Sequence, residues 1–595
     1  MHSSFCRQAG ILLVLVMLIA GIVPTTNTFA VSLAHTSPQK ALDQFPVHPN
    51  PDSMPIRSAL GNAVEVGSPP KVIPYRHPNS ARKISPNDIP PSILPRVSAT
   101  GSATNIGAQI RGNKMSPSWH RPIHHKPFPP HPPYPKIGIL ENVEGLNNAE
   151  QAAVNGGPNA AVTPPDQGLC VGRDLGVPGT EVVFSAVNDA LRETAPDGSA
   201  LPGTPLLGNK DVSFANFWEP NAFSDPRCLY DASTRTFFFS VIGFDNNNNT
   251  TVDIAVYNAR GFKVYQFDTS LGGTQFGDQP HIGYDDNAFY VSTDEFPLTG
   301  PDYNGAILVI ISKPQLVAQS ATVSSATTGL LSLAGEPVLT LQPAISTSPT
   351  TTEYLLNSFF QNLSNNKLGY WTVTNDTNPA NAVVRATTIA SETYVFPVPA
   401  LSTGTGQTTG IITSEDALNP DDARMQQVQF IHGHLWGALT TSLLVDNDPT
   451  PRDGLAWFKI NTYTSAVEQQ GYVGSLGNYL IYPAIFHTRW GLTAIAFTLT
   501  SKTINPSAAY VVNNFPKKFA PLSFGEVSIA AYGSGPHYSF SQALFGERRW
   551  GDYSAAALDL NGNSIWLATE YIPVFQSLYD NWGTRVFEVG PKSHW

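Results

Sequence analysis

The sequence predicts an all-β protein: a seven-bladed β-propeller, with six and eight blades as the neighbouring counts, behind a disordered Pro-rich segment. Three observations predict it. Charged residues make up only 13% of the chain, against 51 Pro, 47 Gly and 10% aromatics, whereas average globular usage is about 25% charged. From residue 137 onward, short apolar segments bounded by Gly, Pro, Asn or Asp recur with almost no helical period, the pattern of short strands in a sandwich, barrel or propeller. Those segments group into a loose repeat of about 60 residues, longer than the 40–50 of tighter propeller families and suited to four-stranded blades with long loops.

The N-terminus reads as a secretory leader. Arg7 precedes an apolar run from Ile11 to Val23, and small residues flank Phe29 and Leu33 at two cleavage sites, ending at Ala30 and Ala34. The run is too short for a comfortable membrane span, which takes roughly 20 residues. The division expected is therefore a signal peptide at 1–30, a Pro/Ser/His-rich linker at 31–134 and the propeller at 135–595. The linker shows no apolar periodicity, and its 117–135 stretch contains eight Pro and four His (His120, His124, His125, His131). Such composition favours extended polyproline II and cannot build a core.

Each repeat unit opens on a polar residue and a short strand, followed by stronger β-branched or aromatic strands. The clearest runs DPRCLYD (225–231), TFFFSVI (236–242), VDIAVYN (252–258) and FKVYQFD (262–268). Others open at PDQGLCVG (165–172), DQPHIGYD (278–285), GEPVLTL (335–341), MQQVQFI (425–431), YLIYPAIF (479–486) and WGDYSAAALD (550–559). The last unit lacks a fourth strand. PKIGILENV (135–143), ahead of the first unit, can supply it, closing the ring and removing an exposed edge.

Cysteine usage fits export. Cys6 lies in the leader, which leaves Cys170 and Cys228; an exported chain favours one disulfide between them, with two buried thiols as the alternative. The two fall in the first strands of units one and two, so a bridge would staple neighbouring blades and contribute about 4 kcal/mol on the chain-entropy account.

The unit openings suggest where chemistry would lie. Asp166, Asp225, Arg227, Asp278, His281, Arg424, Arg549, Asp552 and Tyr553 all stand at or beside the turn into an innermost strand, and would converge on one mouth of the central channel. Such a ring could hold a sugar, a cation or a peptide, and two of its carboxylates could serve as a glycosidase pair. The same residues have a plainer role, because Asp and Pro before a strand form turns that set its direction.

Net charge is −11, unevenly spread: residues 1–136 carry 13 Lys and Arg against 4 Asp and Glu, the remainder 21 against 41. A nucleic-acid-binding body would have the opposite sign. The sequence contains no G-x-S-x-G elbow, H-E-x-x-H pair or phosphate-binding Gly loop. No cofactor is expected and no metal site is assigned, with a structural calcium left open.

PPDQGLCVG, FSAVNDAL, DPRCLYDASTRTFFFSVI, DQPHIGYDDNAFYVSTDEF and RWGDYSAAALD…SIWLATEY…NWGTRVFEV resemble a group of exported bacterial β-propeller proteins of the sialidase-like superfamily, over about 160–590. The resemblance implies a propeller and an extracellular or cell-envelope location, and no particular activity. The S-x-D-x-G-x-T-W box and a set of three arginines are absent, which argues against sialidase chemistry. The expectation is a secreted, monomeric propeller binding an extracellular glycan or protein at the channel mouth, with no nucleic-acid partner and no membrane span after leader cleavage. The alternatives are a carbohydrate-active hydrolase using the mouth carboxylates, or an envelope or surface structural protein.

Overall fold

The computed structural model describes residues 61–62, 64–65 and 89–97. From 136 to 592 it describes all but 156–163, 174, 176–178, 203–205, 215–221, 245–248, 299–303, 360–361, 404–416, 515–520, 538–547 and 574–580. The leader and the His/Pro-rich 117–135 stretch lie outside the described residues. No helix among the described residues is long and apolar enough to cross a membrane.

Seven antiparallel sheets are arranged as blades. Their innermost strands are, in chain order, Gln167–Arg173, Ala222–Asp231, Gln275–Tyr284, Gln342–Ser346, Val428–Ile431, Tyr479–His487 and Ala555–Leu558. Each is followed outward by its second and third strands, as in blade 2, where Thr236–Phe244, Thr250–Asn258 and Gly261–Asp268 complete the sheet. The outermost strand of blade 7 is Ile137–Asn147, paired antiparallel with Gly583–Pro591 from the other end of the chain. The seven blades and the closing strand therefore stand as the sequence predicts. In blade 4 the boundary moves: Glu336–Pro337 forms a small ribbon with Ser332–Leu333, and the inner strand starts later, at Gln342.

The TFFFSVI segment shows why a continuous apolar run serves here. Side chains alternate across a strand, and both faces of a blade are covered by its neighbours. Phe237 and Phe239 point toward blade 1, where both meet Phe184 edge-on, 5.0 and 5.2 Å between centroids. Phe238, between them, points toward blade 3 and packs on Phe289 at 4.8 Å. All three are buried, each stabilising the interface by roughly 1.5–3 kcal/mol. Cys170 and Cys228 are joined, Cα atoms 5.2 Å apart, on the inner strands of blades 1 and 2. The bridge staples those blades, as the spacing predicts.

A short piece of the lead-in belongs with the body. Arg96–Val97 pairs in parallel with the upper end of the second strand of blade 5, at Leu444 and Val445. Leu444 N donates to Pro95 O at 2.8 Å and Asp446 N to Val97 O at 2.6 Å. Ile89, Leu94 and Val97 are all buried. Ile89 and Leu94 share an apolar cluster with Leu444, Tyr479, Ile481, Tyr482 and Trp550.

Candidate functional site

The inner strands all start at one end of the channel, the upper mouth. Three of them begin with the same irregularity. In blade 2, Asp225 and Pro226 together oppose Val241; in blade 3, Gln279 and Pro280 oppose Thr293; in blade 6, Tyr482 and Pro483 oppose Phe497. Each pair is a two-against-one β-bulge. The first residue of each is left-handed, with φ of 54°, 46° and 57°, and Pro sits where no ladder amide is needed. The openings expected as turns are thus bulges inside the strand. In blades 2 and 3 the bulges bring Asp225 and Gln279 together, the Gln279 N–H donating to the Asp225 carboxylate at 3.2 Å.

All nine of the residues singled out in the sequence meet there. The Asp166 carboxylate accepts Asp552 N at 2.9 Å. Asp225 accepts Ser224 Oγ at 2.8 Å and Gln279 N at 3.2 Å, and Asp278 accepts the same amide at 3.0 Å. Asp552 takes the Arg549 guanidinium at 2.9 Å and Gln279 Nε2 at 3.1 Å. Arg424 donates to Gln279 Oε1 at 2.5 Å and is held by Asp421 at 2.9 Å and Asp422 at 2.7 Å. The Arg227 guanidinium sits over the Tyr553 ring, 3.2 Å from its centroid, and donates to Pro280 O and to His281 Nδ1. Tyr553 OH reaches Pro226 O at 3.2 Å.

Burial dominates the electrostatics. It pushes Asp166 and Asp278 well above the usual carboxylate range, with further push for Asp166 from Asp552 and Asp225, and for Asp278 from Asp225 and Asp552. Burial, then Asp552, also raises Asp225, against the lowering effect of its Ser224 hydrogen bond. Desolvation drives a buried carboxyl toward its neutral form. His281 is driven well below its ordinary value by burial, then by Arg227 and Arg424, so its ring is neutral.

Below this plug the channel narrows to a cavity of about 30 Å³, lined among others by Gln167, Arg227, His281, Gln342 and Gln427. That is room for two or three waters and no more. Arg227 and His281 are therefore the two of the nine that face both plug and cavity. Asp166, Asp225, Asp278, Arg424, Arg549, Asp552 and Tyr553 are engaged with one another, with backbone, or with Gln279. No cluster of three or more His, Cys, Asp or Glu among the described residues is placed to hold a metal.

Sequence reasoning missed the neutral partners. Gln279 links four of the nine residues, and Gln342 Nε2 reaches His281 Nδ1 at 3.1 Å. The available signal was Gln beside Asp at two openings, Asp166-Gln167 and Asp278-Gln279. It also missed the lower face, where inner strands end. Trp490, in the turn after the inner strand of blade 6, is 61% exposed. Its indole N–H donates to Asn563 of blade 7 at 2.5 Å, and the Arg489 guanidinium sits 4.8 Å from its ring centroid. Tyr463, in the outer hairpin turn of blade 5 on the same face, is 88% exposed.

No protein-family model matches the chain, and no curated protein matches it. Solved structures do. An α-L-arabinanase of Penicillium chrysogenum complexed with arabinobiose aligns with 10% identity and a TM-score of 0.31, covering 78% of this chain and 100% of that one. The WD40 domain of SCAP from fission yeast aligns at 9% and 0.30, over 73% and 84%. A polysaccharide lyase of family PL25, an ulvan lyase, aligns at 12% and 0.32, over 60% and 80%. Likeness at this level transfers neither substrate nor mechanism.

Proposed function

We propose that this protein is an extracellular propeller that binds a glycan or protein ligand without turning it over, and that it does so on the lower face. The observation carrying the reading is the state of the upper carboxylates. A glycosidase pair must reach a glycosidic bond and an incoming water or sugar carbon. Asp166, Asp225, Asp278 and Asp552 are buried, and each already accepts hydrogen bonds within the plug. A raised carboxyl pKa alone would suit a general acid, but among the described residues these groups are buried and already bonded within the plug.

Recognition remains, and the lower face offers the means. Aromatic rings that are wet on one side and anchored on the other are common anchors in interfaces. Trp490 is such a ring, fixed by Asn563 and flanked by Arg489. The Cys170–Cys228 bridge and the leader-like N-terminus support an extracellular setting. The test is a glycan and protein array probed with the mature chain and with Trp490→Ala. Binding by the parent that falls about tenfold or more in the variant supports the reading. Binding unaffected by Trp490→Ala would remove the lower face from it, and turnover of any arrayed glycan would overturn it.

A further inference from the structure

The channel holds three guanidiniums, and they are not equivalent. Arg424 pairs with Asp421 and Asp422, and Arg549 pairs with Asp552. Arg227 forms no ion pair with any described carboxylate. Its Nε donates to Pro280 O at 3.2 Å and its Nη2 to His281 Nδ1 at 3.0 Å, while its face rests on Tyr553. Its Nη1 makes no hydrogen bond to a described residue. Its guanidinium stands at the cavity wall, with the Asp225 carboxyl and the Tyr553 ring as its electrostatic neighbours.

His281 adds a second donor. Its Nδ1 faces two N–H groups, Arg227 Nη2 at 3.0 Å and Gln342 Nε2 at 3.1 Å. A nitrogen between two donors must be the acceptor, which places the ring proton on Nε2. His281 is 3% exposed and lines the cavity, and its Nε2 has no hydrogen-bond partner among the described residues. Gln167 Oε1, on the same cavity wall, also has none. Its amide can present either oxygen or N–H, since Gln167 makes a single 3.3 Å bond, to Tyr553 O.

These groups discriminate between occupants. A cation would meet Arg227 and an N–H in place of a lone pair, because the His281 lone pair is already used. A neutral sugar ring exceeds about 30 Å³. A buried donor left without a partner is costly. We infer that the cavity below the plug is a binding site for one small anion, a halide or a compact carboxylate such as formate, held by Arg227 and the His281 Nε2–H. The site stands apart from the lower-face reading, since it concerns the channel interior and not Trp490.

Two measurements on the full mature chain test this. Thermal unfolding is followed against bromide, formate and glucuronate at constant ionic strength, so that general screening does not vary and only specific binding raises the midpoint. Bromide or formate should raise it saturably and glucuronate should not; Arg227→Gln should weaken the apparent affinity about tenfold or more, with Arg227→Lys in between. Crystals of the unaltered protein soaked in bromide should show anomalous density beside Arg227 and His281, a readout that needs no variant to fold. The bromide and formate arms separate a halide site from a carboxylate site. A midpoint indifferent to all three anions, a response that survives Arg227→Gln, or bromide density confined to the outer surface would overturn the assignment.

Discussion

Asp166 and Asp552 stand 386 residues apart in the chain, and the carboxylate of the first accepts the backbone N–H of the second at 2.9 Å. The contact joins blade 1 to blade 7 at the upper mouth, just inside the pairing of Ile137–Asn147 with Gly583–Pro591 that closes the ring. The carboxyl is thus a structural acceptor between blades. Asn offers the same carbonyl oxygen and, like a protonated carboxyl, an added donor. Asp166→Asn should change stability by less than about 1 kcal/mol, whereas Asp166→Ala, which orphans the buried amide, should cost about 1–3 kcal/mol. Urea unfolding of both variants checks this; equal and large losses would mean that negative charge, rather than the acceptor, matters.

The lead-in piece at 89–97 should contribute measurably to the body's stability. Leu94 is 6% exposed within the cluster formed with Leu444, Tyr479 and Trp550. Leu94→Ala should cost about 2–5 kcal/mol, and a chain starting at 137 should lose at least as much. Denaturant midpoints for the full chain, the variant and the shortened chain provide the comparison. An unchanged midpoint in the shortened chain would mean that the strap is dispensable.

The Cys170–Cys228 bridge closes a loop of 58 residues in sequence. Replacing both by Ala should destabilise the protein by about 4 kcal/mol on the entropic account, or by less where strain or residual structure intervenes. The measurement is calorimetry of the oxidised parent against the double variant. Identical midpoints would show that the two blades need no staple.

Stability should fall as pH rises through neutrality. Burial, aided by nearby carboxylates, raises Glu181 and Glu588 to about 7; burial raises Asp285 and Asp294 to about 7 and Asp189 and Asp253 to about 6. In the unfolded chain these groups titrate near 4. Between about pH 4 and 7 the folded state therefore holds more protons, and the unfolding free energy decreases with rising pH. Glu468 opposes this only in acid: Lys459, Asn461 and His434 hold it at about 2, so its contribution is lost as pH drops below its unfolded value. The melting midpoint should be higher at pH 5 than at pH 8, and a rise over that interval would contradict the account.

The fold was legible in the chain because its signals are local. Alternation in TFFFSVI, recurring turn residues and the spacing of Cys170 and Cys228 each report on one blade or one pair of blades. Even the closing strand could be read, since the last unit was one strand short. The strap at 89–97 was hidden by composition, because SPNDIPPSILPRV reads like the surrounding Pro- and Ser-rich chain and its three apolar anchors show no period. The convergence of nine polar residues was legible, but their conformation was not. Asp225-Pro226 and Tyr482-Pro483 look like turns, and only the strand register shows them to be bulges. Gln279 stayed unnoticed because an uncharged side chain gives no charge signal, although it bridges Asp552 and Arg424. Nor does sequence separate Trp550, buried in the plug's backing, from Trp490, which stands in solvent; both are followed by Gly.

The most direct test of the central claim, that the upper carboxylates hold the ring together and do no chemistry, is a glycosidase and lyase screen of the mature chain beside its Asp225→Asn/Asp278→Asn double variant, with ligand binding measured on both. The account predicts no turnover by either protein and equal binding by both. Turnover by the parent that disappears in the double variant would contradict it.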